Sequence, residues 1–212
     1  MIEEEERIVE RNIALAAGGS HEVYFKAWGE RAVGAENTLV WSDSQDLLNK
    51  LKSVCEGGRC CINKLYVFSH GGIYGTREEW DASQNAARLF LRDLYECVRD
   101  GKIVFCENGV ITLTGCRVAA TDFPALLATL SGCVVKAARG MSYPKPGGEG
   151  SPFPSERPGE ETGEWLSGDG DIPEADKGSY LGWMKYAKDN IRGECIGELL
   201  DDPLNTYLLR IW

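Results

Sequence analysis

The chain has 212 residues, 43% apolar and 26% charged, which suits one soluble globular domain, or one domain with a modest appendage, with a proper core. Its 23 basic residues are outnumbered by 33 acidic ones, giving a net charge of −10, so no nucleic-acid or anionic-membrane role is expected. No apolar run approaches the roughly 20 residues that span a bilayer.

The start, Met1-Ile2-Glu3-Glu4-Glu5-Glu6, is acidic where a secretory signal is basic and then apolar. Synthesis in the cytoplasm is therefore expected, with any export by a route that reads no such signal. Residues 2–17 read as an amphipathic helix, with Ile2, Ile8, Val9, Ile13 and Ala16 near helical spacing and Gly18-Gly19 as its stop. Two short strands are expected at 22–28 and 38–41. Ser42 and Gln45 then have capping-box spacing, ahead of a helix with Leu47, Leu48, Leu51 and Val54 on one face.

Residues 64–69 read as a strand whose continuous run, Leu65-Tyr66-Val67-Phe68, suits burial on both faces of a parallel sheet. It ends at His70-Gly71-Gly72. A helix over 82–99 follows, with Leu91, Leu94, Tyr95 and Val98 on one face. Strands at 102–106 and 110–114 flank Glu107-Asn108-Gly109, a hairpin signal, and the second runs into Gly115-Cys116. A third helix begins near Thr121 or Asp122, accepts Pro124 in its first turn, and buries Phe123, Leu126, Leu127 and Leu130. A strand over 133–138 comes next. Strands alternating with amphipathic helices predict an α/β sandwich with a mainly parallel central sheet, in one domain over residues 1–212.

Residues 141–178 hold six of the eight prolines and lose all periodicity, which predicts surface loops around one hairpin near 164–167. Periodic structure returns over 179–191, and 207–212 reads as a terminal strand. The eight cysteines, Cys55, Cys60, Cys61, Cys97, Cys106, Cys116, Cys133 and Cys195, lack framework-like spacing. In a cytosolic chain they are expected to be free thiols, mostly buried. Cys55, Cys60 and Cys61 lie close together, but there is no Cys-x-x-Cys pair and no nearby histidine, so no metal is expected.

His70 and Cys116 are the first reactive residues after two apolar strands, where a doubly wound sheet gathers its chemistry. Each has a glycine beside it. Gly71 and Gly72 permit a sharp turn and leave a peptide N–H free to face a substrate carbonyl. The Cys116 N–H supplies a second donor, making an oxyanion hole of Gly71 and Cys116. The thiol attacks a carbonyl while the imidazole first activates the sulfur and later protonates the leaving amine. The chain has two histidines, and His21, next to Gly19-Ser20, is better read as a surface or capping residue.

An apolar strand ending in Ser-His-Gly, followed by an apolar strand ending in Gly-Cys, resembles the signature of the clan CD cysteine peptidases. These include caspases, legumains, gingipains and clostripain. The matching residues are 65–68 with His70-Gly71, and 111–113 with Gly115-Cys116, within a stretch from about 38 to 140. The resemblance implies a caspase-like fold and peptide-bond cleavage by a Cys–His dyad, with no metal or other cofactor. It also implies that the loop after residue 138 helps form the pocket for the side chain preceding the scissile bond. That places Ala137, Ala138, Arg139, Gly140, Met141 and Ser142 near a protein or peptide substrate.

Other readings stay open. The domain can be a catalytically silent module that binds partners. It can also process its own 141–178 segment, or serve as a bacterial effector delivered into another cell, with an inhibitor or immunity protein as partner. Asp169, Asp171, Glu174 and Asp176 favour either a basic substrate residue or simply water, and a solvated loop is the plainer reading. No Gly-x-Ser-x-Gly elbow or phosphate-binding loop appears.

Overall fold

A computed structural model describes residues 8–19, 22–55, 60–71, 83–115, 118–138 and 183–196. In chain order these form β1 (Val9–Ala17), α1 (Glu22–Val33), β2 (Thr38–Trp41), α2 (Ser44–Val54), β3 (Cys60–Phe68) and α3 (Ser83–Arg99). Then come β4 (Phe105–Leu113), α4 (Phe123–Ser131), β5 (Val134–Ala138), β6 (Trp183–Ala187) and β7 (Asn190–Ile196). The strands make one sheet in the order β2-β1-β3-β4-β5-β6-β7. Pairing is parallel from β2 through β5 and antiparallel from β5 to β7. The fold is thus α/β with a mostly parallel mixed sheet.

Strand order dictates where the helices lie. The step from β1 to β2 runs one way along the sheet, and the later parallel steps run the other way. With right-handed crossovers, α1 falls on one face and α2, α3 and α4 share the opposite one. In keeping with this, α3 packs against both α2 and α4, and the Phe90 and Phe123 rings of α3 and α4 lie 6.2 Å apart. On the other face, α1 sits unusually close to the sheet at Gly29. A Cβ there would lie 2.6 Å from Thr38 Cγ2 and 3.0 Å from Ala14 Cβ.

Several expectations are corrected. The N-terminal helix is instead the inner strand β1, described from Val9 onward. Ile13-Ala14-Leu15-Ala16-Ala17 is buried without a break, because β1 lies between β2 and β3 with both faces covered. Gly18-Gly19 is therefore the turn out of a strand, with Gly19 at φ 110. The strand expected over 22–28 is helix α1, whose buried Phe25, Trp28 and Gly29 recur at helical spacing.

The Asn-Gly hairpin is also absent. One strand, β4, runs through Asn108 and Gly109 and bulges there, so that the β3 partner slips between Ile62 and Lys64. Asn108 takes the left-handed conformation, φ 65, that the bulge requires. Both flanking segments pair with β3 and so cannot fold back on each other.

Smaller shifts occur at the helix starts. Asp43, not Ser42, caps α2, accepting from the Gln45 and Asp46 amides at 2.9 and 2.8 Å. On α4, Phe123 and Leu127 are buried as expected, but Leu126 is half exposed, and Pro124 and Ala128 take up the inner face. The region of returning periodicity contains the β6–β7 hairpin. The expected hairpin near 164–167, the terminal strand at 207–212 and His21 fall outside the described residues.

The free-thiol expectation fails for four cysteines. Cys55 bonds Cys60, and Cys61 bonds Cys106. The end of α2 delivers Cys55 to the start of β3, while Cys106 lies on β4 next to the β3 residue it joins. Cys60 and Cys61 are adjacent on a strand, where successive side chains leave opposite faces, so each takes a different partner.

Candidate active site

His70 stands just beyond the carboxyl end of β3, exposed, while the preceding Ser69 is buried. Tyr66, Phe68 and His70 alternate along the chain and share the face that α1 covers. The Trp28 ring of α1 lies 6.3 Å from Phe68, and Tyr66 is 6.5 Å from Phe68. One helical turn before Trp28, the Phe25 ring meets the His70 imidazole at 5.2 Å with the planes 77° apart, an edge-to-face arrangement. Burial raises the Tyr66 phenol above its usual pKa, so it stays neutral.

Beside it, the end of β4 is held by Thr114. Its amide and its hydroxyl both donate to the Val67 carbonyl, each at 3.0 Å. Thr112, Thr114 and Gly115 are buried, so the last turn of chain before Cys116 is packed on every side. The β3–β4 ladder keeps one register from Lys64 with Val110, through Leu65 with Ile111 and Tyr66 with Thr112, to Val67 with Leu113.

Of the residues named from sequence, His70, Gly71, Ala137 and Ala138 are described. Gly71 is partly exposed in the turn after His70. Ala137 and Ala138 belong to β5 itself and are buried there, Ala138 opposite Trp183 of β6. Cys116, Arg139, Gly140, Met141 and Ser142 lie outside the described residues.

The described free thiols are poor nucleophiles by position. Cys97 and Cys133 are both buried. Burial pushes the Cys133 thiol up to about 11, opposed by the Ser131 hydroxyl. Among the described residues no three His, Cys, Asp or Glu side chains converge as metal ligands.

Sequence reasoning passed over Phe25. The signal was present, since Phe25 and Trp28 are three apart, but it is visible only once 22–33 is read as a helix. No protein-family model matches this chain, and no curated protein shows significant similarity to it.

Proposed function

We propose that the chain is a caspase-like cysteine endopeptidase in which Cys116 is the nucleophile and His70 the general base and acid. The observation that carries this reading is the β3–β4 register. The separation between partners is constant from Lys64 with Val110 to Val67 with Leu113, and the same separation leads from His70 to Cys116. Parallel neighbours lie about 4.8 Å apart, and paired residues share a face. His70 and Cys116 thus follow, at equal distances along the chain, two strand ends that are neighbours in the sheet, which supports reading them as base and nucleophile.

In the proposed reaction the Cys116 sulfur bonds to the scissile carbonyl carbon as His70 takes the thiol proton. The carbonyl oxygen becomes an oxyanion held by the Gly71 and Cys116 amides. Collapse breaks the C–N bond, and the His70 imidazolium gives its proton to the departing amine. Water then hydrolyses the thioester, with His70 accepting its proton. The loop after β5, including Arg139, Gly140 and Ser142, lines the substrate pocket in this reading. The two disulfides favour work in an oxidising compartment, which suits a protein delivered out of the cytosol, such as an effector held by an immunity protein.

The test is cleavage of a mixed peptide library, read by mass spectrometry, with the unmutated protein and with Cys116→Ala and His70→Ala. Cleavage that both substitutions abolish is expected. Cleavage that survives them removes the dyad. No cleavage by any form points to a partner-binding module, and a shortened unmutated chain alone points to self-processing within 141–178.

A further inference from the structure

We propose that Phe25 is a positioning residue for the His70 imidazole, holding the ring in the plane its proton transfers need; this rests on the dyad reading above. A general base must be held close to its productive orientation, and His70 is exposed on the turn just after β3. Phe25 supplies a wall. It is 9% exposed, and its ring meets the imidazole edge-to-face at 5.2 Å, a preferred geometry for aromatic pairs.

The wall itself is fixed. One turn along α1, Trp28 is 7% exposed and packs near Phe68, two residues before His70. Next to Trp28, Gly29 lies so close to Thr38 and Ala14 that there is no room for a Cβ. Helix α1 is therefore pinned against β1, β2 and β3 at three successive points, and Phe25 has little freedom to retreat from His70. A hydrocarbon ring also suits the task chemically. It restricts the imidazole's rotation while itself taking no hydrogen bond from either ring nitrogen.

The test has a spectroscopic arm and a kinetic arm. The chain has two histidines, so a His21→Gln background leaves His70 as the one imidazole in the NMR spectrum. There the His70 ring protons are expected to show a ring-current shift that Phe25→Leu abolishes and Phe25→Tyr restores. Identical His70 signals in the unmutated and Leu proteins overturn the proposal. On a peptide from the library, Phe25→Leu is expected to lower kcat about tenfold to a hundredfold, the scale of an ångström-level misplacement. KM is expected to change less than about twofold, and Phe25→Tyr to recover kcat. A change in KM alone overturns positioning in favour of substrate contact. If His70→Ala leaves cleavage intact, or no form cleaves, the dyad and the catalytic role of Phe25 fall together. The NMR arm distinguishes that case, because the ring-current shift then persists while the catalytic effect does not.

Discussion

The Val67 carbonyl accepts two hydrogen bonds from Thr114, one from its amide and one from its hydroxyl, both at 3.0 Å. This ties the carboxyl ends of β3 and β4 together, three residues before His70 and two before Cys116. The hydroxyl bond is buried, so removing it leaves more than a missing contact.

Thr114→Val keeps the branched shape and deletes the donor. It is expected to cost about 1–2 kcal/mol in urea unfolding, with Thr114→Ser losing less. If the dyad stands on these strand ends, the Val variant also loses kcat at temperatures where it is fully folded. Unchanged stability would show that the second bond contributes nothing.

The disulfides close chain loops of very different length, with sequence separations of 5 for Cys55–Cys60 and 45 for Cys61–Cys106. Loop-closure entropy makes the longer bridge worth about 4 kcal/mol and the shorter about 2. The urea midpoint is therefore expected to fall on adding a phosphine reductant, and to fall further for Cys61→Ser with Cys106→Ser than for Cys55→Ser with Cys60→Ser. Peptide mapping without reduction checks the pairing directly.

Replacing a helical glycine by alanine ordinarily gains about 1 kcal/mol. At Gly29 the sign reverses, since the new methyl would lie 2.6 Å from Thr38 Cγ2 and 3.0 Å from Ala14 Cβ. Gly29→Ala is expected to destabilise the protein by about 1–3 kcal/mol, as overpacking does. Denaturant unfolding measures this, and a stabilised variant would mean that α1 sits further from the sheet.

Cys133 gives a pH dependence with a definite sign. Its thiol is raised from an ordinary value of 9.0 to about 11, so the folded state holds the proton more tightly. The resulting stability is complete below pH 9 and is lost as pH rises from 9 through 11, where the unfolded thiol ionises first. Between pH 8 and 10 the unmutated protein is expected to lose more stability than Cys133→Ala. At pH 8, iodoacetamide is expected to leave Cys133 of the folded protein unmodified, as peptide mass spectrometry would show.

Local pattern disclosed the elements whose two sides differ or whose ends are marked. Strand β2 matches its expected span, α3 begins within a residue of it, and β3 ends one residue before the expected Ser69 while beginning four residues earlier than expected. The continuous apolar run closed by His70-Gly71 marks β3, and amphipathic spacing survives in α3 because one side of the helix meets water. It fails for β1, where Ile13 to Ala17 are buried on both sides and no period remains to separate strand from helix. It fails again at Asn108-Gly109. The same left-handed residue serves a hairpin or a bulge, and the choice depends on whether the flanking segments already have a partner.

From the sequence alone, His70 and Cys116 emerge as paired candidates at strand ends, because reactive residues beside glycines after apolar runs are a local feature. Strand order, register and cysteine pairing are not local. The Cys60–Cys61 step sends neighbouring sulfurs to opposite faces, and only the docking of α2 and β4 decides what each one meets. Phe25 faces His70 for the same reason, since the contact exists only once α1 is laid across β1 and β3. The order of residues along the chain shows which reactive residues follow the two apolar runs, whereas tertiary packing decides that Phe25 meets His70 and which sulfurs pair.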